Sequence, residues 1–123
     1  MTPRKGLVLF VAMAAVLFLG SFAPPIEAGQ VTLHLVDVDA QGVQIWTPTT
    51  IIAKKGDTVT LMLNNSLREE HGYEIEGVGV KEVVGANQTK TVSFKATKAG
   101  IFPIKCQLHK ATLHMAGQLL VLE

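Results

Sequence analysis

Apolar and polar residues alternate along this chain from Gln30 onward. Val31, Leu33 and Leu35 alternate with Thr32 and His34, a period of two that predicts a strand with one face in a core. His34, on the other face, reads as solvent-facing. The phase slips at Val36-Asp37-Val38-Asp39, which reads as a bulge or a change of sheet. Gln41-Gly42 is a turn, and Val43-Gln44-Ile45-Trp46 is a short strand stopped by Pro48, with Trp46 as a lid on the core. Ile51-Ile52-Ala53, then Lys54-Lys55-Gly56-Asp57, then Thr58 to Leu63 read as strand, tight hairpin turn and strand. Met62 falls on the less buried face of the last, or in a strand buried on both sides, and reads as packing. Leu67 to Gly72 is a polar loop carrying His71. Tyr73 and Ile75 begin the next strand, with Gly77 and Gly79 permitting bends. Thr89 to Phe94, Ile101 to Cys106 and Gln118 to Leu122 complete the set. Pro103 predicts an edge position or a bulge, because proline has no N–H for a ladder.

Roughly seven short strands separated by regular turn signals, with no sustained helical period, predict an all-β fold. The expected architecture is a small antiparallel Greek-key β-sandwich. It occupies residues 29–123, because the chain before it has a different character. Arg4 and Lys5 precede an uncharged apolar run from Leu7 to Leu19, followed by Pro24-Pro25 and Ile26-Glu27-Ala28. This is the pattern of a secretory signal peptide over residues 1–28. The run is short for a membrane span, which needs roughly 20 residues. A membrane association is expected only if the leader stays uncleaved. The reading places the protein outside the cytoplasm, in a periplasm or the extracellular space.

Charge adds an exclusion. The chain carries 11 Lys+Arg and 10 Asp+Glu, and nine of each remain once Arg4, Lys5 and Glu27 leave with the leader. Such a balanced domain has no basic excess for nucleic acid. Glu69, Glu70, Glu74 and Glu76 form an acidic group that reads as solvated. No Ser-His-Asp arrangement, phosphate loop or catalytic carboxylate pair stands out, so an electron-transfer protein is expected over an enzyme, with the question left open.

The chemistry concentrates near the C-terminus. Cys106, His109 and His114 follow the spacing Cys-x2-His-x4-His, with Met115 next and Gly117 closing the loop. A single cysteine in an exported protein cannot form an internal disulfide, so it pairs with another chain, stays free or binds a metal. A thiolate with imidazoles favours copper or zinc over magnesium or calcium. Sandwich loops cluster at two ends. If the His71 loop shares an end with Cys106 and His109, two imidazoles and a thiolate meet in the trigonal set of type-1 copper.

These pieces together resemble the cupredoxins. The resemblance rests on the Lys55-Gly56-Asp57 turn before a strand ending in Asn, and on His71 followed by Gly72-Tyr73. It rests also on Thr91-Val92-Ser93-Phe94, Lys98-Ala99-Gly100 and Cys106-Gln107-Leu108-His109. Within that family the C-terminal loop is similar to nitrosocyanin, the red copper protein, in its Cys-Gln-Leu-His, its second histidine and its following glycine. His71 departs from that likeness, because it stands where nitrosocyanin has a glutamate ligand. The resemblance implies one copper ion per chain, held by His71, Cys106 and His109. It leaves the fourth ligand open between His114 and Met115, since Met115-Ala116-Gly117 matches the Met-x-Gly of blue copper proteins. It further implies that a backbone amide such as that of Gly72 donates to the thiolate. The function it implies is one-electron transfer, with a redox partner docking near His109 on Leu108, Ala111 and Leu113. The alternatives are a nitrosocyanin-like protein binding or transforming nitric oxide or a related small ligand, and a copper-handling protein.

Overall fold

The computed structural model describes Gly20, Ser21, Ala23 and residues 27–123. The leader expected over residues 1–28 lies almost wholly outside the described residues. Among those described, no helix is long and apolar enough to cross a membrane. Ten strands follow in order: β1 (Gln30–Ala40), β2 (Val43–Thr47), β3 (Thr50–Lys54), β4 (Thr58–Asn65) and β5 (His71–Ile75). Then come β6 (Val80–Val84), β7 (Thr89–Lys95), β8 (Gly100–Lys105), β9 (His114–Met115) and β10 (Gly117–Leu122). They form two five-stranded sheets, β7-β4-β1-β2-β9 and β3-β10-β8-β5-β6.

The core lies between the sheets, as the alternation requires. Leu35, Val59, Leu61 and Leu63 from the first sheet meet Ile51, Tyr73, Ile75, Ile104, Leu119 and Val121 from the second. Burying each such aliphatic side chain contributes roughly 1.5–3 kcal/mol. His34 lies exposed on the outer face of β1 and Met62 is half-buried on β4, both as expected.

The all-β sandwich is present, and its pairing is mixed rather than purely antiparallel. β1 pairs with β4, β3 with β10 and β2 with β9 in parallel. The parallel pairs arise because the chain crosses between layers. β3 belongs to the second sheet and β4 to the first, so β4 returns beside β1 in the same direction. This also corrects the expected hairpin at Lys54 to Asp57. The turn is tight, with the Asp57 amide donating to Lys54 O at 3.0 Å, but the strands it joins lie in different sheets. The Asp57 carboxylate holds the crossing. Its two oxygens accept from the Gly29 amide of one layer at 3.0 Å and the Lys54 amide of the other at 2.8 Å.

Two further corrections concern β1 and β8. β1 neither bulges nor changes sheet. Its inward row continues through Val31, Leu33, Leu35 and Asp37, so the apparent slip is a buried aspartate at a position where an apolar residue belongs. Pro103 lies on β8, an interior strand. Its carbonyl accepts from the Glu76 amide at 3.1 Å. N–H and C=O of one strand residue face the same side, so the missing N–H faces the β5–β6 turn, beyond the end of the β5 ladder at Ile75–Ile104.

Candidate metal centre

Five polar side chains converge at one end of the sandwich, and each is placed by a different piece of chain. His71 opens β5, opposite Val84 of β6. The expectation of a loop at this position is corrected by that pairing. Its ring is 0 % exposed, and among the described residues neither ring nitrogen has a hydrogen-bond partner. Orphaned polar atoms at such depth cost on the order of 1–3 kcal/mol each, unless something absent from the chain satisfies them.

Cys106 follows β8 directly and is buried. The Gly72 amide donates to its sulfur at 3.1 Å, the N–H···S contact that the family resemblance implies. A glycine suits the close approach there. A Cβ on residue 72 would lie 3.0 Å from the Gln107 amide nitrogen and closer still to the Gln107 side chain. The Gly72 carbonyl in turn accepts from Trp46 Nε1 at 3.0 Å. Trp46 therefore caps the core and also fixes the peptide that faces the thiol. Its ring meets Tyr73 edge-on, with centroids 5.5 Å apart.

His109 is half-buried in the loop after β8, with Nδ1 3.2 Å from the Cys106 sulfur. His114 opens β9 and is buried. The loop brings it there because Gln44 of β2 donates its amide to Leu113 O at 2.8 Å and β9 then pairs alongside β2. Gly117 completes the return to the second sheet. A Cβ there would press on the Thr49 carbonyl, with the Thr49 carbonyl carbon only 3.2 Å away. Ring centroids of His71 lie 4.9 Å from His109 and 5.2 Å from His114. Ligand atoms of His71, Cys106 and His114 all lie within 4.8 Å of one another.

Met115 follows His114 on the same strand, so the two side chains leave on opposite faces. Met115 is 50 % exposed and lines a small cleft with Pro48, Thr49 and Lys105. The four sequence-predicted residues His71, Cys106, His109 and His114 are thus gathered together, and Met115 faces away.

The fifth side chain is Asp37, which sequence reasoning missed. It is 0 % exposed on the inward face of β1. Its Oδ2 lies 2.9 Å from His114 Nε2 and 3.7 Å from His71 Nδ1. The signal was present in the sequence as the break in apolar alternation after Leu35.

Electrostatics favour a neutral His71. Burial lowers its pKa, Asp37 opposes the shift, and His114 and His109 add to the lowering. A neutral imidazole keeps a lone pair for a metal. One thiol and three imidazoles, one of them His71 with both nitrogens orphaned, fit a soft or borderline cation.

The cupredoxin-like domain family matches residues 9–121. The chain belongs to that family. Segments of nitrous-oxide reductases are similar in sequence. The one from Cupriavidus necator is 38 % identical over 65 residues, which is 50 % of this chain and 10 % of the reductase. The one from Ralstonia nicotianae is 36 % identical over 73 residues, 55 % of this chain and 11 % of the reductase. The chain thus spans about a tenth of the length of these relatives. Among solved structures, a multi-copper oxidase from Pseudomonas thermotolerans aligns with a TM-score of 0.66 at 19 % identity, over 79 % of this chain and 30 % of the oxidase. Auracyanin A, a blue copper protein of Chloroflexus aurantiacus, aligns at 0.60 and 18 % identity, over 76 % of this chain and 99 % of its own. At such identities these likenesses speak for the cupredoxin fold alone. The family and the His–Cys–His group together support copper as the metal.

Proposed function

We propose that this cupredoxin is an exported one-electron carrier with one copper ion per chain, held by His71, Cys106, His109 and His114. The observation that carries the reading is His71. It is fully buried beside the thiol and two further imidazoles, with both ring nitrogens unpartnered. Copper bound there supplies one-electron exchange between Cu(II) and Cu(I). The chain's own residues do the rest. The Gly72 amide hydrogen-bonds the sulfur, Trp46 holds that peptide in place, and the packed strands keep the imidazoles fixed in both oxidation states. His109 is the most exposed of the four proposed ligands, with Leu108, Ala111 and Leu113 exposed around it. That patch suits a brief encounter with a redox partner, for which small interfaces suffice. Export rests on the pattern of residues 1–28.

The outward-facing Met115 and inward-facing His114 favour a third imidazole over a thioether as fourth ligand. Nitrosocyanin-like binding of nitric oxide or a related small ligand is therefore the second reading. A third imidazole is a stronger donor than a thioether and predicts a spectrum shifted from simple blue. Copper-loaded protein is expected to show an intense thiolate-to-copper band that Cys106→Ser abolishes. His114→Ala shifts the band and the electron paramagnetic resonance spectrum, and Met115→Leu leaves both unchanged. A colourless protein that binds zinc as well as copper overturns the carrier reading. Copper that binds but does not cycle indicates copper handling instead. A reversible spectral change with nitric oxide, absent with a control gas, selects the second reading.

A further inference from the structure

Asp37 is an anomaly in its surroundings. It lies in line with Val31, Leu33 and Leu35 on the core face of β1. Its neighbours across the sheet are Trp46 and Asn65. Among the described residues the groups within ion-pair distance of it are two histidine rings, with no lysine or arginine. One carboxylate oxygen, Oδ1, has no hydrogen-bond partner. A buried carboxylate without full compensation costs several kcal/mol, so a fold that keeps one needs a positive charge beside it.

We infer that Asp37 is a positioning residue of the copper site, acting through His114 and favouring Cu(II) by its charge. This rests on the copper reading above. Of the two contacts of the His114 ring, the one from Nε2 to Asp37 Oδ2 is the shorter at 2.9 Å, and it assigns Nε2 as the donor. Nδ1, 3.3 Å from the Met115 carbonyl, is then the nitrogen left to bind a metal. A carboxylate that accepts from a ligand histidine fixes its ring and raises its basicity. The charge acts separately from the orientation. The Cys106 thiolate and the Asp37 carboxylate together balance Cu(II). Gain of one electron, with no bond or proton moved, leaves a net negative charge in a buried site, where it is poorly solvated. Asp37 therefore lowers the reduction potential.

Asp37→Asn separates the two roles, because the amide oxygen still accepts from Nε2 while the charge is gone. The variant is expected to bind copper and keep the thiolate band. Its Cu(II) affinity falls at least tenfold relative to its Cu(I) affinity, in the range found when such outer partners are removed. A tenfold change in that ratio is about 59 mV for a one-electron couple, as a rise in potential. Asp37→Ala also frees His114 and changes the imidazole hyperfine pattern. A wild type without copper or a thiolate band would refute the copper reading itself. A wild type with the band, and an Asn variant with unchanged potential and affinity ratio, overturns this inference alone. Should the variants fail to fold, nitrogen-15 spectra of metal-free wild-type protein decide the matter. Protonated Nε2 with unprotonated Nδ1 on His114 supports the assignment, and any other state of the ring overturns it.

Discussion

Replacing Gly72 with alanine tests whether the peptide facing the thiol is as tightly enclosed as it looks. The new Cβ would intrude on the Gln107 side-chain amide and stand 3.0 Å from the Gln107 backbone nitrogen. The side chain can move, but it then gives up the bond from Gln107 Nε2 to Glu82 O, 2.9 Å long, worth about 1 kcal/mol. The backbone contact cannot be relieved by a rotamer. Overpacking of that kind costs typically 1–3 kcal/mol. The sum is about 2–4 kcal/mol, which in a domain of this size lowers Tm by roughly 10–20 °C. Gln107→Ala alone loses the one hydrogen bond, about 1 kcal/mol. In the double variant the side-chain obstruction is gone, so its cost falls short of the sum of the singles by about 1 kcal/mol. Urea unfolding of the metal-free protein and its three variants measures this cycle without interference from copper. Additive costs, agreeing within about 0.5 kcal/mol, would refute the enclosure of Gly72 by Gln107.

Other consequences are as direct. Tyr73 is fully buried with its hydroxyl unpartnered, and burial raises its pKa well above the ordinary phenol value. Tyr73→Phe is therefore expected to be neutral or stabilising by about 1 kcal/mol, and a loss of that size in a melt would reveal a partner for the hydroxyl. Asp57→Ala orphans the amides of Gly29 and Lys54 and is expected to destabilise by about 2 kcal/mol, with Asp57→Asn recovering part of the loss. Burial holds His71 below its ordinary imidazole value. Below about pH 6.5 the unfolded chain then binds a proton that the folded chain refuses until its own lower pKa is reached. Stability of the metal-free protein falls as pH drops through that window, and urea midpoints that rise on acidification would contradict the sign.

The sandwich was legible because its core rows alternate strictly. Val59, Leu61 and Leu63 on β4, or Val92 and Phe94 on β7, could face only one way. Which strands pair was less legible. Lys55-Gly56-Asp57 has the composition of a hairpin turn, and composition does not say whether the strands it joins share a sheet. Pro103 was misread for a similar reason, since the end of the β5 ladder depends on another strand's length. In the site, Cys106, His109 and His114 fall within one loop and announce themselves by spacing. His71 joined them only through the expectation that sandwich loops cluster at one end, which the resemblance then supported. Asp37 was invisible as a site residue because it lies 77 positions from His114, and a single polar residue in an apolar row looks like a change of phase.

The two ends of the sandwich are fastened by different means. At one end the Asp57 carboxylate ties Gly29 of the first layer to Lys54 of the second through the chain's own amides. At the other end Asp37 and His114 come from the first layer, while His71 and Cys106 come from the second. A metal held by His114 on one side and by His71 and Cys106 on the other would clasp the two layers together. At that end the layers are also joined by the hydrogen bond from Trp46 Nε1 to Gly72 O, so the metal would add to a fastening the chain already has.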